Sequence, residues 1–277
     1  MNIINSSDQF DLIPHYLAND GYVVLKQIFS TQELLELYDL YNSDIFLKFS
    51  QSMSSYALPN AAHIFRELDS IVCHPKLHHA LSYAFNHNPY AFTSHSDLHL
   101  NTVAGWHKDD GKGSYFPNNV DYFSSNLCKV YKIGIYLQDA STLGGLTVKK
   151  GSHNSGYSFF GLNYDSNHEE IYLPSILGDI VLFDVRITHK GHSNSKTNFY
   201  YRLLKRLSLI NDIKLNYQRR SFFFTFGLSN DFTHDFALTN MSRQVSQLNS
   251  TSFTSVPTEL SNLLTSLKVD YFSDFLS

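Results

Sequence analysis

The segment GWHKDDG, residues 105–111, contains side chains that bind metal ions in many proteins. His107 and Asp109 are two residues apart, so in an extended segment both side chains point to the same face. A second histidine, His189, ends the apolar segment GDIVLFDVRITHKG much further along the chain. Two neutral imidazoles and one carboxylate leave positions open on a metal, which suits non-haem Fe(II) and also catalytic zinc. The residue types therefore predict a metal centre, while the identity of the metal stays open.

The composition predicts a folded, β-rich protein. The chain has 277 residues, of which 43% are hydrophobic and 17% charged, and it contains 18 Tyr and 22 Phe, which favour strands. A net charge of −4 without a dense basic stretch argues against nucleic acid as a partner. Two cysteines are too few for a disulfide framework, and no segment resembles a signal peptide or a membrane span. We therefore expect a cytoplasmic protein with no membrane partner.

The hydrophobic pattern changes twice along the chain. Residues 1–88 predict mainly helices, and residues 89–230 predict short strands separated by Gly, Asn, Asp and Ser. Within the strand-rich part, the apolar spacing of residues 199–216 predicts an inserted helix. Residues 231–277 predict a C-terminal helical extension. We expect residues 1–277 to form a single domain of the α+β class, mainly β, with the helices outside the sheets.

Five segments in order carry a resemblance to a known family. They are DGYVVLKQIFSTQEL, GWHKDDG, IYLQD with GGLTVKKGSH, GDIVLFDVRITHKG and RRSFFFTFG. Over about residues 20–230 the chain resembles the phytanoyl-CoA dioxygenase (PhyH) family of Fe(II)/2-oxoglutarate-dependent oxygenases. The resemblance implies a double-stranded β-helix, the cupin-like jelly roll, with N-terminal and C-terminal helices packed outside it.

The same resemblance implies that His107, Asp109 and His189 are the iron ligands and that Fe(II), 2-oxoglutarate and O2 are required. Related halogenases lack the carboxylate ligand, so Asp109 favours hydroxylation. We expect hydroxylation of an unactivated carbon of a small metabolite, a natural-product or other polar intermediate, with release of succinate and CO2. Two alternatives stay open: a non-catalytic jelly-roll module that binds a ligand, and a zinc or manganese cupin enzyme.

The far carboxylate of 2-oxoglutarate needs a cation, and arginine pairs with both of its oxygens at once. The family usually places this arginine on the strand after the second histidine, often as Arg-x-Ser. Two segments match that pattern, namely Arg219 with Ser221 and Arg206 with Ser208. We expect Arg219 and Ser221, because RRSFFFTFG is the more convincing strand, and we keep Arg206 as the alternative.

Four further side chains are weaker candidates. Lys132 and Tyr136 share one face of VYKIGIYLQD, so both can reach the cosubstrate if that face points inward. Equally, Lys132 can extend its ammonium to solvent and Tyr136 can be a core residue. Trp106 and Arg186 lie near the ligands in sequence and can contact the substrate, support the ligands, or serve the fold alone.

Overall fold

The computed structural model describes residues 1–51, 53, 55–118, 122–156, 167–191, 218–248 and 255–272. The predicted helix at 199–216, together with the alternative arginine Arg206, lies outside these residues. Within the described residues the strands form two sheets, a large one and a small one.

Gly21 ends the first helix and begins the first long strand. A 3-10 turn, Ser7–Leu12, leads into helix α1, Ile13–Asp20. Gly21 then adopts a φ of +80°, a left-handed conformation that costs glycine little, and its N–H donates to carbonyls of the last turn. Strand β2, Tyr22–Leu25, continues from there and pairs in parallel with β1, Ile3–Ile4.

The sequence STQELLELYDLYNSDIFLKF predicts one helix, with Ser30 as its N-cap and Glu33 completing a capping box, whereas the structure has two helices there. The capping box at Ser30 forms, but helix α2, Thr31–Leu40, ends early and a separate helix α3 spans Asp44–Ser50. Ser43 is the N-cap of the second helix, and its hydroxyl accepts a backbone N–H at 3.2 Å. A second cap inside the apolar stripe therefore divides the helix in two.

The remaining elements follow in chain order. They are β3 (Tyr56–Leu58), α4 (Ala61–Ile64), α5 (Asp69–Val72), α6 (Pro75–Ala84), β4 (Tyr90–Leu100), β5 (Val130–Tyr136), β6 (Leu146–Lys149), β7 (Glu170–Leu173), β8 (Ile180–Asp184), β9 (His189–Gly191), β10 (Arg220–Leu228), α7 (Asp231–Leu248), α8 (Thr258–Ser266) and β11 (Asp270–Tyr271). The large sheet has the strand order β1-β2-β8-β5-β10-β4-β11, with β3 also paired to β4. The small sheet has the order β7-β6-β9. The predicted mainly β fold with helices outside it is confirmed, although the two sheets do not close into a barrel.

Successive side chains of β10 point to opposite faces of the large sheet, one toward the apolar core and the other toward the interior cavity. Phe222, Phe224 and Phe226 are buried in the apolar cluster that the N-terminal helices share with the large sheet. Phe223 belongs to a different cluster, which fills the space between the two sheets. The inward faces of the two neighbouring strands carry polar side chains beside Phe223: His95, Asp97 and His99 on β4, and Lys132 and Tyr136 on β5. This period of two explains why a strand rich in phenylalanine can still form one wall of a site.

Candidate active site

His107, Asp109 and His189 converge at one place in the fold. Each offers a ligand atom within 4.8 Å of the other two, and among the described residues they form the one cluster of metal-binding type. The Oδ1 atom of Asp109 lies 3.5 Å from His107 Nε2, and its Oδ2 atom lies 3.4 Å from His189 Nε2. Two backbone hydrogen bonds of 2.9 and 2.8 Å join His107 and His189 as an antiparallel bridge. This pairing brings together ligands that are far apart in sequence.

Backbone carbonyls orient both imidazoles. Nδ1 of His107 donates to the Gly105 carbonyl at 2.7 Å, and Nδ1 of His189 donates to the Ile187 carbonyl at 3.0 Å. Because the proton is then on Nδ1, the lone pair of each Nε2 stays available for a metal. Two imidazole nitrogens and one carboxylate with this orientation fit the preference of ferrous iron.

Burial and neighbouring charges set the protonation of these three groups. Burial raises the pKa of Asp109, but Lys132 and the two histidines outweigh it and hold the pKa well below its usual range. Burial and the nearby His107 lower the pKa of His189 to about 3. For His107, burial lowers the pKa, but Asp109 stabilises the protonated ring through its charge and through a hydrogen bond that only this form donates from Nε2, so the pKa is raised. At neutral pH the site therefore contains an ionised carboxylate and a neutral His189, which are both ready to bind a cation.

Lys108 lies between the two ligands of the first segment and anchors that segment. The residue is 6% exposed, and its Nζ donates to the carbonyls of Ser152 at 2.7 Å and Arg186 at 2.8 Å. Because Arg186 shortly precedes His189 in the chain, one ammonium group connects the two ligand-bearing segments. The sequence did not identify Lys108 as a residue that positions the ligands, because a lysine at this place is equally typical of the protein surface.

A cavity of about 440 Å³ opens beside the metal ligands, and Arg219 and Lys132 line it as well. Arg219 is 6% exposed, and its Nε and Nη1 donate to the carbonyls of Gly144 and Thr102 at 2.8 Å each. Nη1 also lies 3.4 Å from the Ser221 hydroxyl. These contacts hold the guanidinium in place, and in the described part of the chain no carboxylate pairs with it.

Tyr136 packs beside this arginine. The Arg219 Cζ lies 5.2 Å from the centroid of the Tyr136 ring. The Tyr136 hydroxyl is buried, and within the described ranges it makes no well-formed hydrogen bond. A buried hydroxyl that contacts only the Arg219 guanidinium, which pairs with no carboxylate among the described residues, fits a ligand with anionic oxygens. A 2-oxoglutarate carboxylate has this chemistry, so the residues present fit the cosubstrate.

Lys132 points inward rather than to solvent. Its Nζ lies 2.9 Å from Oδ2 of Asp109 and 5.3 Å from the centroid of the Phe223 ring. The Phe223 ring covers Gly134, where an added Cβ would be only 2.8 Å from a ring carbon. Glycine at this position therefore leaves room for the ring on the cavity floor.

Trp106 and Arg186 do not line the cavity. The Trp106 ring lies between two ammonium groups, with Lys190 Nζ at 4.1 Å and Lys149 Nζ at 5.2 Å from its centroid. The Arg186 guanidinium is buried and binds Asp184 through Nε at 2.9 Å and Nη2 at 2.7 Å. The structure therefore gives no support to a substrate contact for either residue, and Arg186 serves the site through its carbonyl, which accepts from Lys108.

Sequence reasoning missed a second polar wall of the cavity. It consists of His95, Asp97 and His99 on β4 and of Asn240, Arg243 and Gln247 on α7. The alternation in HSDLH could have indicated the β4 part of this wall, because it places three polar residues on one face of a strand. Nothing in the sequence indicated that α7 would face the same space.

Comparison with known proteins identifies the family. The sequence model described as "Phytanoyl-CoA dioxygenase (PhyH)" matches residues 17–199, which is more than half of the chain. The chain belongs to this family. Membership in the phytanoyl-CoA dioxygenase family confirms the resemblance for the first four segments, while the fifth, RRSFFFTFG, lies beyond the matched residues. No curated protein matches the sequence.

Solved structures share the fold of this family member. The epimerase SnoN in complex with Fe3+, alpha ketoglutarate and nogalamycin RO is 13% identical, with a TM-score of 0.56 over 80% of this chain and 84% of SnoN. AviO1 from Streptomyces viridochromogenes Tue57 is 16% identical, with a TM-score of 0.56 over 80% of this chain and 96% of AviO1. The carbocyclase SnoK from nogalamycin biosynthesis is 14% identical, with a TM-score of 0.54 over 77% of this chain and 82% of SnoK. At these identities the similarity establishes the fold alone.

As a member of the phytanoyl-CoA dioxygenase family, the protein is a 2-oxoglutarate-dependent non-haem iron oxygenase. It uses Fe(II), 2-oxoglutarate and O2. A search of the described helices finds none with the length and apolar character of a membrane span.

Proposed function

We propose that this oxygenase hydroxylates an unactivated carbon of a small polar metabolite, such as a natural-product intermediate, and releases succinate and CO2. The observation that carries the proposal is the convergence of His107, Asp109 and His189 beside a cavity of about 440 Å³. Three protein ligands leave positions for cosubstrate and oxygen. The carboxylate of Asp109 completes this set, and that favours hydroxylation over transfer of a halide.

His107, Asp109 and His189 would hold the iron, and the bound iron with 2-oxoglutarate supplies the oxidation chemistry. The Nδ1 hydrogen bonds fix the ring orientation of both histidines. Asp109 is held by its own N–H, which donates to the Val185 carbonyl at 2.8 Å, and by Lys132. These contacts fix the ligands before the metal binds, so that little ordering entropy is lost on binding.

Arg219, which lines the cavity, would bind the far carboxylate of 2-oxoglutarate. Ser221 and Tyr136 do not line the cavity in the structure, but both contact the guanidinium and would act with it. Lys132 faces the same cavity from β5 and can pair with a second anionic oxygen. Apolar groups close the remaining surface near the ligands, because Phe183, Phe223 and Leu146 line the cavity. Exclusion of water by these side chains strengthens each charge interaction in the site.

Two substitutions test the assignment of metal and cosubstrate residues. Asp109→Ala should abolish iron retention and lower succinate release by at least about a hundredfold, since a ligand is lost. Arg219→Gln should retain iron but weaken 2-oxoglutarate binding by roughly ten- to a hundredfold, since a charged hydrogen-bond donor is removed. Asp11→Ala and Arg66→Gln are matched controls on exposed residues. Binding is followed anaerobically through the visible charge-transfer absorption of the iron–2-oxoglutarate chelate.

Hydroxylation itself is tested with labelled oxygen. The enzyme is incubated with small-molecule extracts, Fe(II), 2-oxoglutarate and 18O2, and products are searched by mass spectrometry. We expect a product that gains one labelled oxygen atom in proportion to succinate. A product that forms with succinate but has the mass of its substrate, or has lost two hydrogens, would contradict hydroxylation and indicate epimerisation or desaturation. Unchanged succinate release in Asp109→Ala would contradict the ligand assignment.

A further inference from the structure

Helix α7 presents a polar stripe to the cavity. Phe236, Asn240, Arg243 and Gln247 all line it, and their spacing of four, three and four residues places them on one side of the helix. A helix that packs against a sheet normally buries an apolar stripe. Here three of the four side chains are polar, and none of them is needed to hold iron or 2-oxoglutarate. We call Asn240, Arg243 and Gln247 the donor wall.

The internal hydrogen bonds of the donor wall engage both amide oxygens and leave amide N–H donors available to a ligand. The Asn240 Oδ1 accepts from Nε and Nη2 of Arg243 at 3.2 and 3.0 Å, and the Gln247 Oε1 accepts from Nη1 of Arg243 at 2.9 Å. Both amide oxygens are therefore occupied by the guanidinium, which also fixes which way each amide points. The Asn240 Nδ2 is buried and has no partner among the described residues, and the residue is 1% exposed. The wall offers amide N–H and guanidinium N–H groups, so it suits oxygen acceptors.

The carboxylate next to the wall is already engaged. Asp97 is 6% exposed, and its Oδ1 accepts from Gln244 Nε2 at 3.0 Å. Its Oδ2 lies 3.1 Å from His95 Nε2 and 3.6 Å from Arg243 Nη2. The charge of Asp97, which also lines the cavity, therefore orients Arg243 and leaves the Asn240 amide N–H donors unfilled.

The charges around the cavity favour an anion. Four of the side chains that line it are cationic, namely Lys108, Lys132, Arg219 and Arg243, and two are anionic, namely Asp97 and Asp109. Four cations therefore face two anions, so the lining carries an excess of positive charge, and two backbone carbonyls hold the Lys108 ammonium in place without neutralising it. A ferrous ion and the 2-oxoglutarate dianion cancel each other, so loading of the site leaves this excess unchanged. The chain as a whole has a net charge of −4, so the excess is local to the cavity.

We propose that the donor wall binds a carboxylate of the substrate, so that this enzyme acts on a small organic acid whose reacting carbon is held beside the metal ligands. This inference rests on the proposed function, because it assigns the substrate class of the same cavity. An excess of positive charge and a helix face with available N–H donors match a carboxylate, which accepts several hydrogen bonds and donates none. In this assignment the donor wall determines substrate specificity, because its side chains contact the substrate, whereas other residues bind the metal and the cosubstrate.

Binding of matched ligands tests the wall directly. The protein is loaded anaerobically with Fe(II) and saturating 2-oxoglutarate, so that Arg219 is occupied and the charge-transfer absorption reports the loaded site. Aromatic and aliphatic monocarboxylates, the corresponding primary amides and the corresponding phosphate monoesters are then screened by ligand-observed NMR and titrated. We expect at least one carboxylate to bind roughly ten- to a hundredfold more tightly than its amide, as expected for hydrogen bonds to a charged acceptor.

Gln247→Glu is the central variant, because Gln247 is exposed at the mouth of the cavity and its substitution leaves the core untouched. The new carboxylate neutralises Arg243, so the preference for carboxylate over amide should disappear. Arg243→Gln should act in the same direction, and Arg66→Gln, an exposed arginine outside the cavity, should keep the preference.

The outcomes separate this inference from the proposed function. If the charge-transfer absorption does not form in the unmodified protein, the assignment of the iron and 2-oxoglutarate site fails first. If it forms but no carboxylate binds, or amides bind as tightly, or phosphate monoesters bind more tightly, the organic-acid assignment is overturned alone. An unchanged carboxylate preference in Gln247→Glu overturns the location of the subsite.

Discussion

Replacement of Lys108 by methionine should separate the geometry of the metal site from the identity of its ligands. Met has a similar length and no charge, so Lys108→Met keeps His107 and Asp109 while removing the ammonium behind them. That ammonium donates to two carbonyls, at 2.7 and 2.8 Å, which belong to the 3-10 turn Ser152–Asn154 and to the connection between β8 and β9. The variant therefore removes two hydrogen bonds that hold the ligand-bearing segments in place, and it leaves every ligand atom unchanged.

The magnitude follows from the contacts. A hydrogen bond from a charged donor contributes roughly 1.5–3 kcal/mol, so two of them give about 3–6 kcal/mol as an upper limit for the loss. Backbone bonds from His107 to His189, from Asp109 to Val185 and from Gly191 to Ala104 remain, at 2.8 to 3.1 Å, and they keep the segment in place. We expect the protein to stay folded with lower stability and to bind Fe(II) roughly ten- to a hundredfold more weakly.

The assay uses the single tryptophan of the chain. Trp106 directly precedes His107, so its fluorescence reports anaerobic Fe(II) titration at the site. Lys112→Met is the matched control, because Lys112 is exposed and follows the same segment. Thermal unfolding establishes that both variants are folded at the titration temperature. A folded Lys108→Met protein that binds Fe(II) as tightly as the unmodified protein would refute the idea that Lys108 positions the ligands.

Three further substitutions probe the cavity. Gly134→Ala would place a Cβ 2.8 Å from the Phe223 ring, so we expect a stability loss of about 1–3 kcal/mol and weaker 2-oxoglutarate binding, measured by thermal unfolding and titration. Tyr136→Phe removes a buried hydroxyl that makes no well-formed hydrogen bond within the described residues, so it should weaken 2-oxoglutarate binding severalfold and leave the unfolding free energy unchanged or higher. A clear loss of stability would contradict this. Burial raises the pKa of Asp97, but nearby histidines and Arg243 hold it well below its usual range. Because this pKa is depressed in the folded state, its stabilising contribution is present above the unfolded pKa of about 4 and is lost as pH falls further. Asp97→Asn should therefore flatten the acid side of a stability–pH curve measured by chemical unfolding, and an unchanged slope would contradict the assignment.

The strands were predictable from sequence because burial on one or both faces leaves a pattern in the residue types. RRSFFFTFG predicts a strand, and β10, Arg220–Leu228, forms there. The helix over 31–49 was predicted only in part, because a stripe of apolar residues continues across the break. Ser43 is an N-cap because its backbone is extended in the structure. A serine at this position is compatible both with a helix break and with a continuous helix, so its residue type does not predict the break.

The convergence of the ligands was predicted through residue type and family resemblance, since spacing alone does not determine which distant residues meet. The structure places His107 and His189 next to each other through backbone hydrogen bonds that any residue types could form. Lys132 shows the same limit, because its position in the strand fits both an inward and a solvent-facing orientation. Its contact with Asp109 depends on the packing of β5 against the ligand segment, which no local pattern reports.

The donor wall shows why the substrate is harder to predict than the chemistry. The ligands of the metal are restricted to a few residue types, so they stand out in a sequence. Asn240 and Gln247 are common on helix surfaces, and a pattern of polar residues on α7 predicts a solvent-facing stripe. Only the packing of α7 on β4 turns that stripe toward the cavity and places Arg243 within 3.6 Å of Asp97. Substrate selection in this protein therefore depends on a tertiary contact outside the segments that identify the family, and substitutions in α7 can change the substrate while the metal site stays the same.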